Sequence, residues 1–421
     1  MKTRISRFPA LSLAVVAMVA ILNAQTSIAA VPPRYHLTDL GGLGGTNSVA
    51  EGISPGGLVT GQALAPDGVW HLFLYDGVMH DLGAVNGTND TYGDAVNDHR
   101  QIAGYYRVPG VTNNYPFHAL FYDGNNLNDL GTLGGASSQA TGINSAGRIA
   151  GWSYLTNGST LCDGFLYYSN ALHRLYGYYD IAVTVDDSNR VVGYNYTYTN
   201  SAWKALAYIY NGSFRYLGTL GGNYSMSVAI NSAGQAAGES TTTNGHTHAF
   251  FYDGAMHDLG TLGGNYSSAS WLNNRGDVCG VASLTNGDER AFLYTGGVMY
   301  DVNSLLDAAS ANWIVEGAWS MNDASQLVGS GTDPVSGQRH AVLLEHCPVL
   351  TGAHCEGTNF VFSFQTTSNY MYMLDYNDDL RTTNWRFLEF LPADGTPLRC
   401  AVPMTNTAPR FFRVWHGTGR F

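Results

Sequence analysis

Four histidines, His71, His118, His248 and His340, recur at one place in a repeated pattern, and four aspartates, Asp39, Asp81, Asp129 and Asp258, recur at another. A ring of imidazoles would suit a transition metal or general-base chemistry. Two carboxylates held roughly 5–9.5 Å apart would suit glycoside hydrolysis. Repetition argues against both. Equivalent residues of successive units stand on separate sheets, too far apart to share one ion. The histidines are therefore expected to hydrogen-bond between neighbouring units. The aspartates are expected to accept backbone N–H groups from the glycine-rich turns that follow them. His80 and His257, beside those turns, take the same structural reading, and no metal or cofactor is expected.

Other catalytic signatures are missing from the sequence. There is no Gly-x-Ser-x-Gly elbow, His-Glu-x-x-His helix or Walker loop. The run Gly41-Gly42-Leu43-Gly44-Gly45 opens a strand rather than a helix, which argues against phosphate binding. Asp375 to Asp379 holds three carboxylates but lacks the glycine and distal glutamate of a calcium loop.

The elements that would position any site come from the repeats. Asp258-Leu259-Gly260-Thr261-Leu262-Gly263-Gly264 returns in near copies at Leu217 to Ser225, Asp129 to Gly135 and Asp39 to Gly45. A first strand such as Ser138 to Ile143 runs into an Asn turn, Asn144-Ser145-Ala146-Gly147, with further copies at Asn231 and Asn273. A second strand climbs to a recurring glycine: Gly61, Gly104, Gly151, Gly193, Gly238, Gly280 and Gly329, 42 to 49 residues apart. A third strand, such as His248-Ala249-Phe250-Phe251-Tyr252, ends in a tight Asp-Gly or Asn-Gly turn, and a fourth leads into the next glycine-rich link.

Four short antiparallel strands per unit predict the blades of a β-propeller, with a solenoid as competitor. Tyr35 to Leu40 reads as a fourth-type strand with no preceding three, while the last unit lacks its own fourth. Pairing the two closes a ring and covers two bare sheet edges. The expectation is an all-β chain: a seven-bladed β-propeller over 31–346, closed by the N-terminal strand, and a small C-terminal β-sandwich over 347–421. Only Val302 to Ala311 suggests a helical turn.

Residues 1–30 read as a signal peptide, with Lys2, Arg4 and Arg7 ahead of an apolar stretch too short for a membrane helix. Export to the cell surface, the medium or the periplasm is expected, with no membrane span after cleavage. Removing this segment moves the formal charge from −12 to about −15 and leaves Lys204 as the sole lysine, which argues against a nucleic-acid partner. Of five cysteines, Cys347 and Cys355 are the preferred disulfide pair, with Cys355–Cys400 as the alternative.

The word His248-Ala249-Phe250, its altered forms at His71, His118, Arg290 and His340, the Asp-Leu-Gly-Thr-Leu-Gly-Gly link and the Asn-x-x-Gly turn resemble the extracellular repeats of the HAF family over about residues 35–345. The resemblance implies an exported bacterial protein and carries no activity to any residue. Unit four, which lacks both words, departs from it. The segment Phe360 to Val414 looks like the C-terminal β-modules of secreted planctomycete and verrucomicrobial proteins, through Tyr372-Met373-Leu374, Trp385 and Arg410-Phe411-Phe412-Arg413-Val414. That likeness implies an accessory domain.

A candidate recognition face follows from the fold. Links between units and the loops joining strands two and three emerge on one side, and the loops are irregular: Arg107 to Pro116, Leu155 to Asp163, Asn195 to Lys204, Ser240 to Thr247 and Leu284 to Arg290. They carry Tyr115, Tyr196, Tyr198 and Trp203, with Tyr224 and Tyr266 on adjoining links. Aromatic platforms among Asn, Ser and Thr suit a polysaccharide or a surface protein. The competing reading has Tyr224 and Tyr266 wedged between blades. The expected function is non-catalytic binding or scaffolding. The alternatives are a polysaccharide lyase or glycosidase working in the axial mouth, with Glu51, Asp94, Glu316 and Trp271 breaking the repeat symmetry, and a structural spacer.

Overall fold

The computed structural model describes residues 32–108, 116–156, 161–177, 179–199, 202–347, 351–357, 359–366, 371–377, 386–392, 397–403 and 411–416. The expected signal peptide and Tyr115 lie outside the described residues. Among the described residues the chain is all-β, its one helical element being the single 3-10 turn Val302–Leu305.

Antiparallel groups of four strands repeat along the chain. The first comprises Ser48–Ile53, Val59–Leu64, Trp70–Tyr75 and Met79–Gly83, and the second Thr91–Val96, Ile102–Arg107, Phe117–Tyr122 and Leu127–Gly131. The third, Ser138–Ile143 to Ala171–Arg174, is likewise a separate four-stranded sheet. The next three groups begin with Asp180–Val185, Gly221–Ile230 and Gly263–Leu272 and form one twelve-stranded sheet. Its internal joins are single parallel pairings, Ala205 with Tyr224 and Thr247 with Tyr266. The closing group takes three strands from Ile314–Met321, Leu327–Thr332 and Arg339–His346 and its fourth, Tyr35–Asp39, from the start of the described chain. These pair in register from Tyr35 opposite His346 to Asp39 opposite Val342.

The recurring glycines mark the tightest point of each group. A β-bulge in strand one pushes a carbonyl against strand two, so a Cβ on Gly61 would lie 2.0 Å from the Val49 oxygen, and one on Gly238 1.8 Å from that of Met226. On strand three, directly opposite the glycine, stands a large apolar residue, Phe73, Phe165, Phe250 or Phe292, each fully buried. Each such ring contributes about 1.5–3 kcal/mol by leaving water. Neighbouring groups share one apolar cluster: Ala229, Ala237 and Ala249 meet Ala269, Leu272 and Phe292. The same kind of cluster joins Ala50, Val59 and Phe73 of the first group to Val328, Ala341 and Leu343 of the closing one.

Polar side chains tie the groups together at two levels. In the Asn turns, Asn144 Oδ1 accepts the N–H groups of Ala146 (3.1 Å) and Arg148 (2.9 Å), which holds Gly147 at φ 75°. Its Nδ2 donates to the Asp186 carbonyl of the following group (3.0 Å). Asn97, Asn231 and Asn322 donate in the same way to the carbonyls of Asn144, Asn273 and Ser54. At the other level, the first-strand serine accepts an N–H from strand three of the preceding group and donates to a link carbonyl. Ser267 does so with Ala249 (2.8 Å) and Gly260 (2.5 Å), and Ser48 with Ala341 (2.9 Å) and Gly41 (2.5 Å).

The C-terminal residues form two three-stranded sheets, Thr351–Glu356, Asn359–Gln365 and Pro397–Pro403 in one, Arg386–Pro392, Met371–Asn377 and Phe411–His416 in the other. Phe362 and Phe364 share one buried cluster with Tyr372, Leu374 and Leu391. No cysteine is paired in this structure, Cys347 and Cys355 included. Cys355 lies opposite Phe360 and Cys400 opposite Phe362, on the two strands flanking Asn359–Gln365. Two strand spacings, roughly 9–10 Å, separate their backbones, beyond the roughly 7 Å that a disulfide spans.

Candidate functional site

The two parallel joins of the twelve-stranded sheet fall on two of the expected binding residues. Tyr196 pairs with Ala205, which pairs with Tyr224. Tyr224 N–H then donates to Thr241 Oγ1 (3.1 Å), Thr241 pairs with Thr247, and Thr247 with Tyr266. Tyr196, Tyr224 and Tyr266 therefore stand in one row across the sheet, with two strand spacings from Tyr196 to Tyr224 and three from Tyr224 to Tyr266. All three are at least partly accessible, and Tyr196 is 38% exposed.

Between them lies a carboxylate that the sequence reading did not single out. The Tyr224 hydroxyl donates to Glu239 Oε1 at 2.8 Å, and the Tyr266 hydroxyl reaches Oε2 at 3.5 Å. Tyr194 completes the group, its ring centroid 5.7 Å from that of Tyr196 at an interplanar angle of 75°. Burial first, and the Glu239 charge next, push the Tyr224 and Tyr266 phenols above their ordinary range. Burial likewise raises Tyr194, with Tyr196 and Glu239 adding to it. The arrangement offers aromatic surface and hydrogen-bond acceptors on a rigid frame, a binding chemistry.

Glu239 had a signal in the sequence. It follows the recurring Gly238, and its equivalents are Gln62, Tyr105, Trp152, Tyr194, Val281 and Ser330. That one position varies in chemistry while the glycine before it does not vary.

Tyr198 and Trp203 are backbone partners near the end of the hairpin Val191–Thr199 and Ala202–Tyr210, and their side chains lie outside the described residues. The expected irregular loop from Asn195 to Lys204 is largely this regular hairpin, because strands two and three of the group continue their ladder outward. In Ser240 to Thr247 the strands run to Thr242 and resume at Thr247, leaving a four-residue turn.

The histidines do not bond between groups as expected. His71 Nδ1 lies 3.0 Å from Asp81, His118 3.1 Å from Asp129 and His248 2.9 Å from Asp258, each pair on adjacent strands of one sheet. The hairpin geometry explains it: the tight turn sits midway between histidine and aspartate, so folding brings them side by side. Each aspartate also accepts a link N–H, from Gly41, Gly83, Gly131 or Gly260, at 2.7–2.8 Å. His80 and His257 contact turn residues Asp76 (2.7 Å) and Asp253 (2.8 Å).

Of the residues breaking the repeat symmetry, three belong to one electrostatic network. Glu51 accepts from Gln62 Nε2 (3.1 Å) and is raised by burial, with Arg339 opposing. Burial, then the Glu51 charge, hold Asp94 well above the carboxylate range. Arg339 Nε lies 3.1 Å from Glu316, which accepts from Thr332 (2.6 Å). Trp271 is elsewhere, packed against two apolar clusters. No group of three or more His, Cys, Asp or Glu side chains among the described residues could hold a metal ion.

No family model matches the chain, and no curated protein matches it. Among solved structures, the chain is similar to an arginine-to-alanine triple mutant of AofleA from Arthrobotrys oligospora, at 13% identity and a TM-score of 0.36, over 64% of this chain and 89% of that one. No helix among the described residues is long and apolar enough to cross a membrane.

Proposed function

We propose that the chain is an exported binding protein of the HAF type, built as a closed seven-bladed β-propeller with a C-terminal β-sandwich. In this reading the row Tyr196, Tyr224 and Tyr266 around Glu239 engages an extracellular polysaccharide without catalysis. The observation that carries it is the placement of three tyrosines in one row across the sheet, with two of their hydroxyls on one carboxylate. Sugar rings stack on aromatic faces, and their hydroxyls pair with carboxylate and phenol oxygens. Support for closure comes from the pairing of Tyr35–Asp39 with Arg339–His346 and from the Asn322 to Ser54 bond. The test is a glycan array together with a pull-down from cell-envelope material. Retention by the wild type and loss in Tyr196→Ala and Tyr224→Ala support the reading, while blank screens with folded protein oppose it.

A second reading has its own observation. The Glu51 charge acts on Asp94 of the next group, and a raised carboxyl beside a second one is the arrangement of an acid–base pair. Polysaccharide cleavage that disappears in Asp94→Asn and Glu51→Gln, measured as new reducing ends, would favour this enzyme over the binding protein.

A further inference from the structure

Resting on the binding reading above, we infer that the Tyr196–Tyr224–Tyr266–Glu239 site selects a glycan carrying free, protonated amino groups over neutral or anionic glycans. Glu239 differs from the carboxylates that a guanidinium of the chain holds. Asp163 is held by Arg174, Asp186 by Arg190, Asp277 by Arg275 and Glu316 by Arg339. The hydrogen bonds that Glu239 receives come from phenol hydroxyls, which carry no positive charge. The groups that act on Tyr194, Tyr224 and Tyr266 tell the same story: they are acids, thiols, hydroxyls and other phenols, with no guanidinium or ammonium among them.

A carboxylate half-removed from water is stabilised by an opposite charge close by. Among the described residues no cationic side chain pairs with Glu239, so the ligand is the natural source. An ammonium group would meet the Glu239 carboxylate in a charge-assisted hydrogen bond, and tyrosine faces attract cations through their electron-rich rings. The sugar ring bearing the amine would supply the apolar face for stacking. A uronate or sulfated sugar would meet only repulsion from Glu239 and from a chain whose formal charge is −12.

The experiment is calorimetric titration of the full chain with four oligomers of equal length: fully deacetylated glucosamine, N-acetylglucosamine, glucose and glucuronate. A choline competitor forms a fifth arm. The expected result is binding of the deacetylated oligomer at least about tenfold tighter than the acetylated one, the scale of one charge-assisted hydrogen bond. Glu239→Gln, which keeps the shape, is expected to weaken the deacetylated oligomer about tenfold, to the level of the acetylated one, with the melting temperature unchanged. Preference is also expected to fade as the pH rises and the sugar amine loses its proton. Equal affinity for acetylated and deacetylated oligomers, with tyrosine variants still losing both, would overturn the amine selectivity and leave the binding reading standing. Choline displacing every sugar would overturn the glycan assignment. Absence of binding by all four oligomers would overturn the selectivity as well, and repeating the titration with the polysaccharide retained on the array decides separately whether the binding reading survives.

Discussion

His340 Nδ1 lies 2.9 Å from Asp39 Oδ2, although 301 residues separate them in the chain. The same contact joins His248 to Asp258 across only ten residues. Asp39 also accepts the Gly41 N–H, as Asp258 accepts that of Gly260. The N-terminal strand therefore occupies the fourth-strand place of the last four-stranded sheet, with the same histidine–aspartate and aspartate–glycine contacts.

Closure can be tested through this pair. Both side chains are partly exposed, so a double-mutant cycle with Asp39→Asn and His340→Ala should give a coupling of about 0.5–1 kcal/mol in urea unfolding. Deleting residues 33–40 should do far more, because it bares the Arg339–His346 edge. Loss of a single cooperative transition and concentration-dependent aggregation are expected from the deletion.

Gly238→Ala should destabilise by about 3 kcal/mol or more, since the new methyl would meet the Met226 carbonyl with no flexible side chain to yield. Gly254→Ala is the contrast. Its φ is 124° but nothing lies within 4 Å of a Cβ there, so about 1 kcal/mol of backbone strain is expected. Chemical denaturation of the two variants should separate crowding from conformation.

Ser267→Ala should cost about 1–3 kcal/mol, because it leaves the buried Ala249 N–H without its acceptor. Hydrogen exchange should show the loss first at Ala249 and along the Thr247–Tyr252 strand, and uniform exchange changes across all sheets would contradict the local account.

The repeats made the strand order, the Asn turns and the glycine positions legible, because each depends on residues close in sequence. Asn144 bonds Ala146 and Arg148, and Gly147 takes the left-handed conformation next to them. The histidine partners follow from symmetry about the hairpin turn, which the position in the repeat alone does not reveal. His71 and Asp81 lie five residues either side of Asp76, which places them on facing strands. Glu239 is legible in the sequence only as a departure at the position after the recurring glycine, because its partners Tyr224 and Tyr266 reach it from other strands. The sideways reach of Asn231 Nδ2 and Ser225 Oγ into neighbouring groups was illegible, since it depends on how sheets pack.

Asp180 gives the stability a pH dependence of defined sign. The residue is fully buried, and burial, with the Asp163 charge adding to it and the Tyr208 hydroxyl opposing, pushes its carboxyl up to about 7. The unfolded value is about 3.9. The native state therefore holds the extra proton, so this group's contribution is complete below about pH 4 and is lost as the pH rises to about 7. Melting curves of Asp180→Asn should lie above wild type at pH 8 and converge with it near pH 4. Parallel curves across that range would contradict the assignment.

Reducing agent should leave the melting temperature unchanged, because all five cysteines are free. Thiol titration should count five groups in the unfolded chain, with Cys355 reacting first in the folded one, since it is exposed while Cys162, Cys279 and Cys400 are buried.

The most direct measurement is the affinity of an array-selected polysaccharide for wild type and for Tyr224→Ala, with melting temperatures recorded alongside. Base-free stacking of this kind responds to loss of one aromatic platform by about tenfold or more. The account predicts that loss with an unchanged fold. Undiminished affinity in the folded Tyr224→Ala protein would contradict it.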